Sequence, residues 1–148
     1  MKQIKLILYF VLCLSLIKCG NDSYQEGITA YNGKNYALAI KQFLNVDNKN
    51  VMDDEYFEML SLSFMYHGKQ LYEKTKNIDA FIGNYKKSQK LLPNELSKSF
   101  KKEYGRLLYT LAETYVKTKP ENEFLKEKYL NNARQTLKQV HAYDSTNT

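Results

Sequence analysis

Between residues 23 and 143 the apolar positions recur at a spacing near 3.6, with little of the alternation that marks strands, so the pattern predicts helices throughout. Six segments emerge, in three pairs. The first runs from about Ser23 to Asn32 and breaks at Gly33-Lys34-Asn35. The second runs from about Tyr36 to Val46, with Tyr36, Ala39, Ile40 and Phe43 on one face, and ends in the polar turn Asp47-Asn48-Lys49-Asn50. The third starts near Asp53-Asp54-Glu55, where acids suit the positive end of a helix. It carries Tyr56, Phe57, Met59, Leu60, Leu62, Phe64, Met65 and Tyr66, apolar nearly all round, so it is expected to be central and covered on several sides. It continues past Gly68 to about Lys74.

The fourth helix spans about Ile78 to Leu92, with the stripe Ile78, Phe81, Tyr85 and Leu92, and stops at Pro93. The fifth spans about Glu95 to Lys117, with Phe100, Tyr104, Leu107, Leu108, Leu111 and Tyr115 as its stripe. Pro120 suits the first turn of the sixth, which runs to about Tyr143 with Leu130, Ala133, Leu137 and Val140 inward. Residues 144–148 form a short polar tail, expected to fray.

Residues 1–18 read differently. A basic start, Met1-Lys2-Gln3-Ile4-Lys5, precedes an almost unbroken apolar run from Leu6 to Ile17. That run is shorter than the roughly 20 residues a bilayer core demands, and it fits the apolar region of a secretory signal. It closes as Leu16-Ile17-Lys18-Cys19, which resembles a lipobox, the site where a bacterial Cys is diacylated and becomes the new N-terminus. Leu16 fits that pattern, whereas Lys18 stands where a small residue is usual. The alternatives are cleavage by ordinary signal peptidase, an uncleaved anchor, or lipidation at Cys13, where apolar residues continue beyond the thiol.

Cysteine usage points the same way, because both cysteines lie in the first nineteen residues and the rest of the chain contains none. An exported body without disulfides relies on packing. No cofactor is expected beyond a covalent diacylglycerol and fatty acyl lipid on Cys19, and two or more chains hold a protein stably on a membrane. Residues 19–22 are read as a lipid-anchored linker and 23–143 as the helical domain.

Composition narrows the classes further. The chain has 148 residues, enough for one compact core or a short repeat array. Only 6 glycines and 2 prolines punctuate it, too few for the many turns of an all-β fold. The formal charge of +6 includes Lys2, Lys5 and Lys18, which precede Cys19, and the remaining excess is too small for the dense basic face nucleic acid requires. Lys98, Lys101, Lys102 and Arg106 are read as the solvated face of a helix.

Ser23 to Asn50 resembles a tetratricopeptide (TPR) unit. Gly27 takes the small position of its first helix, and Tyr36, Ala39 and Phe43 take the second-helix positions. Glu26 replaces the usual Leu, and the closing Pro is missing. Phe57, Leu60, Ser61 and Phe64 match the aromatic, Leu, small, aromatic series of a second unit, and Gly27 and Ser61 lie one 34-residue TPR period apart. Leu108, Leu111, Ala112 and Tyr115 repeat the series, followed by Ala133 and Leu137, but Ser61 to Ala112 is about one and a half periods. The resemblance implies an all-α fold of antiparallel hairpins stacked as a short TPR-like array, against the plainer reading of a six-helix bundle. Small residues let paired helices approach, and large ones fill the gaps between hairpins.

In TPR proteins the first helices line a concave groove. Carried across, that groove shows Tyr24, Ile28 and Tyr31, then Glu58, Leu62, Met65 and Tyr66, then Tyr109, Glu113 and Lys117. Tyr and Met suit the capture of a peptide or helix; for Leu62 and Met65 a place in the core is the competing reading. The Lys and Asn that clamp a terminal carboxylate in TPR chaperone adaptors are missing at Tyr24 and Ile28. No enzyme is expected. His67 and His141 lack metal-ligand spacing and read as surface or helix-end residues, no HExxH, P-loop or nucleophile elbow is present, and Asp53, Asp54 and Glu55 read as helix-start acids.

The expectation is thus a membrane-tethered, TPR-like lipoprotein of the bacterial cell envelope, a scaffold or adaptor for protein partners that binds no nucleic acid, with the periplasmic face of the outer membrane favoured. A narrower version is accessory work in outer-membrane β-barrel assembly, whose TPR lipoprotein is similar in its opening and in the run Tyr36 to Phe43. A third is a surface-exposed lipoprotein that binds host molecules.

Overall fold

The computed structural model describes residues 19–144, and side chains from 22 to 143. The signal segment, the thiol of Cys19 and the tail beyond Asp144 lie outside the described residues. Six α-helices occupy most of this span: α1 Cys19–Asn32, α2 Tyr36–Leu44, α3 Asp54–Thr75, α4 Ile78–Gln89, α5 Lys98–Lys117 and α6 Glu123–Asp144. A short 3₁₀ turn, Lys49–Val51, links α2 to α3. The described residues include no strand.

Local chemistry sets most boundaries. Asn35, Asp53, Asn77 and Ser97 each cap a helix by accepting from a backbone N–H two or three residues on. Asn122 accepts from Leu125 N at 2.9 Å in the same way, so α6 starts at Glu123 and Pro120 lies in the connection rather than in the first turn. Helix α1 starts at Cys19, so the segment read as a linker is helical, with Asp22 in its first turn where the dipole favours a carboxylate. Its other end turns at Lys34 (φ 59°), not at Gly33, and Asn35 N donates to Ala30 O to close the turn. Lys76 (φ 58°) ends α3 likewise.

The helices pair as antiparallel hairpins. In the first, Gln42 Nε2 donates to Glu26 Oε2 at 2.6 Å and Tyr31 meets Tyr36. In the second, Ser61 Oγ lies 2.6 Å from Ser88 Oγ, and a Cβ on Gly68 would sit 2.8 Å from that of Asn84. In the third, Tyr104 meets Tyr143 and Tyr115 meets Tyr129, which places the start of each helix against the end of the other.

Helix α3 is central, as its pattern predicts. Its Tyr56, Leu60 and Phe64 join Ala30, Ala39, Phe43 and Val46 in one core, while Leu62 and Met65 join Phe81, Phe100, Tyr104, Leu107 and Leu111 in a second. Tyr56 also donates its hydroxyl to Phe43 O at 2.7 Å, which satisfies an end carbonyl of α2. Helix α4 stops at Gln89, short of the expected Leu92, because the chain bends there and sends Leu91 to the first core and Leu92 to the second.

The inward face of α6 differs from the expected one. Leu130 is 40% exposed and Leu137 42%, while Ala133 and Thr136 are buried and Tyr129, Val140 and Tyr143 pack on the second core. Helix α6 packs chiefly on α5, so only a narrow strip of it finds a partner.

An aromatic and polar ribbon along the first helices of the hairpins

The three first helices, α1, α3 and α5, are neighbours, and a ribbon of side chains crosses them. Tyr36 and Tyr66 stack with ring centroids 4.6 Å apart and planes 9° from parallel. Tyr31 meets both edge-on, at 5.7 Å and 6.4 Å. Such geometry adds about 0.5–1.5 kcal/mol per pair beyond burial. Arg106 Nη2 donates to Tyr66 Oη at 3.0 Å and to Glu103 Oε1 at 2.7 Å, and its Nε donates to Glu103 Oε2 at 3.2 Å. The guanidinium is therefore forked onto one carboxylate while it reaches a hydroxyl on the adjacent hairpin.

Along α5 the ribbon continues through Tyr109, 51% exposed, to the Glu113–Lys117 ion pair at 3.5 Å. These residues follow Arg106 at helical spacings of three and four and so share its face.

The electrostatics keep the aromatic part neutral. Burial pushes the Tyr31 hydroxyl up to about 12, with Tyr36 and Glu103 adding to the shift. Burial and Glu103 also raise Tyr36, against an opposing effect of Arg106. Hydrogen bonding to Glu103 raises Arg106 further, so it stays cationic.

Of the ten residues expected to line a groove, the structure brings Tyr31, Tyr66, Tyr109, Glu113 and Lys117 onto this ribbon. Tyr24 and Ile28 are half-buried and pack against the first core, with Tyr24 6.1 Å from both Phe43 and Tyr56. Leu62 and Met65 are core residues and offer no surface, because both cores meet on α3 and cover it. Glu58 is not a surface ligand either. It is buried, and its carboxylate accepts from Ser97 N and, at 2.7 Å, from Ser97 Oγ, which ties α3 to the start of α5.

Three members of the ribbon, Tyr36, Glu103 and Arg106, escape the pattern alone. Tyr36 reads as a plain core position of a second helix, and Arg106 reads as part of a solvated basic face. The spacing of Glu103 and Arg106 hints at their pairing, but the reach of Arg106 to Tyr66 depends on how two hairpins pack.

His67 is half-buried on α3, where burial and then Lys87 hold its imidazole below the ordinary range. His141 is exposed. Among the described residues no cluster of three His, Cys, Asp or Glu is placed to hold a metal, and no helix is long and apolar enough to cross a membrane. Compared with known proteins, the chain matches no protein-family model, no curated protein and no solved structure.

Proposed function

We propose that this chain is a membrane-tethered, TPR-like lipoprotein of the bacterial cell envelope that acts as a scaffold or adaptor and holds a protein partner along the ribbon from Tyr31 to Lys117. One observation carries the reading. Tyrosines and paired charges from three successive hairpins share one continuous strip, joined across hairpins by Arg106 and Tyr66. Large, rigid rings give contact area at low entropic cost, and Tyr and Arg dominate the energetics of protein interfaces. The anchor rests on the apolar start of the chain and on Cys19. A narrower reading, accessory work in β-barrel assembly, rests on the Tyr36 to Phe43 run.

A photo-crosslinking amino acid placed at Tyr109 in the full chain, in intact cells, tests the strip against the same group at Lys41 on the exposed side of α2. Crosslinks to a defined protein from Tyr109 but not Lys41 are expected. Equal or absent crosslinking at Tyr109 overturns the assignment. Radiolabelled fatty acid should enter the wild type and not Cys19→Ser, and retained label in that variant overturns the anchor.

A further inference from the structure

The second helices of the last two hairpins, α4 and α6, both pack on α5 but stand apart from each other, and the gap between them is a cleft of about 790 Å³. Its size is typical of ligand sites, yet its lining reverses their usual apolar character. Tyr85 Oη donates to Gln139 Oε1 at 2.6 Å across the gap. Tyr115, from α5, is buried in the wall, and its ring lies 5.8 Å from that of Tyr129.

The charges are sorted by depth. Asp79, Lys86, Lys119, Glu121 and Lys128 are all exposed, whereas the more buried lining residues, among them Tyr85, Tyr115, Tyr129, Asn132, Thr136 and Gln139, are all uncharged. The exposed charges are of mixed sign, Asp79 and Glu121 against Lys86, Lys119 and Lys128, and although Asp79 adds to the rise of the Tyr115 hydroxyl, they form no one-signed cluster for a phosphate, carboxylate or ammonium group. Large apolar side chains of a peptide are also a poor match, because covering Asn132 and Gln139 with hydrocarbon leaves their amides unpartnered, at a cost. What remains complementary is a ligand that is uncharged and dense in hydroxyls, each both donor and acceptor, with flat C–H faces for tyrosine rings. An amide carries two N–H donors besides the oxygen that Gln139 uses on Tyr85, so both kinds of partner are present for hydroxyls.

The geometry points to a neutral oligosaccharide as the ligand of the α4–α6 cleft, with sugar rings against Tyr129 and Tyr85 and hydroxyls on Asn132 and Gln139. This site lies between α4 and α6, with Tyr115 of α5 in its wall, and shares no residue with the ribbon.

Isothermal titration of the full chain, in a sugar-free detergent, with maltotetraose, cellotetraose and chitotetraose tests it. Saturable binding of at least one, with Kd below about 1 mM, is expected. Tyr129→Ala and Asn132→Ala should each weaken it about tenfold or more, with thermal melts confirming the fold. Gln135→Trp, at an exposed position on the cleft's lining, should block it without touching the interior. Tyr109→Ala should leave it unchanged. Absent binding of all three sugars, or equal loss with Tyr109→Ala, overturns the proposal. Binding of an uncharged Gly/Ser/Asn decapeptide without sugar binding also overturns it and assigns the cleft to polypeptide.

Discussion

The first and third hairpins are built from the same kind of element and are held in different ways. Helix α2 has only 9 residues, yet its Phe43 is completely buried, and a Cβ on Gly27 of the facing helix would lie 2.7 Å from two atoms of that ring. Helix α6 has 22 residues and leaves Leu130 and Leu137 partly in water and Phe124 largely so, at 74% exposed. Length does not buy burial; neighbours do. Helix α2 is clasped between α1 and α3, whereas α6 sits at the edge of the stack with α5 as its main partner. Close approach through a glycine fixes the first hairpin, and a long single seam fixes the third.

The sharpest way to break this contrast is to truncate one apolar residue in each. Phe43→Ala should cost about 3–5 kcal/mol, as expected for a buried ring, while Phe124→Ala, at an exposed position of α6, should stay within about 0.5 kcal/mol. Urea denaturation of both variants gives the difference. Similar losses would mean that α6 is covered after all, by a second chain or a partner.

A smaller effect separates glycines by their surroundings. Gly27→Ala forces the Phe43 ring aside and should destabilise by about 1–3 kcal/mol. Gly83→Ala, on a face of α4 where an added Cβ meets nothing within 4 Å, should stabilise by about 0.5–1 kcal/mol. Thermal melts that move in opposite directions confirm the distinction, and a harmless Gly27→Ala would show that the first hairpin is loosely packed.

The mildest test compares buried hydroxyls. Burial pushes Tyr31 in the first hairpin and Tyr115 in the third up to about 12, from an ordinary 10.0. The folded state thus holds these protons more tightly than the unfolded one. Their stabilisation is complete below pH 10 and is lost as pH rises from 10 to 12. Tyr31→Phe and Tyr115→Phe should each flatten that alkaline loss, followed by denaturant midpoints across the range. A flattening from only one of them would show that just one hairpin buries its phenol as described.

Much of the architecture is legible in local residue patterns. Gly27, Ser61 and Ala112 stand out as small residues in a recurring series, and all three are buried where helices meet. Asp53 reads as a helix-start acid because its cap is satisfied by a backbone three residues away. The shared face of Tyr109, Glu113 and Lys117 was legible too, since it follows from their place away from the Leu107–Leu108–Leu111 stripe.

The rest depended on partners distant in the chain. Glu58 looks like any surface acid until Ser97 arrives beside it, and Arg106 looks solvated until Tyr66 does. The expected inward face of α6 failed because periodicity tells which residues share a face, not how wide a strip its neighbours cover. Periodicity, caps and small residues act over one or two helical turns, so the sequence alone determined six helices and their pairing. Which faces stayed exposed, which carboxylate became a cap, and where a ribbon and a cleft opened were decided by contacts between hairpins, which exist only in the assembled tertiary structure.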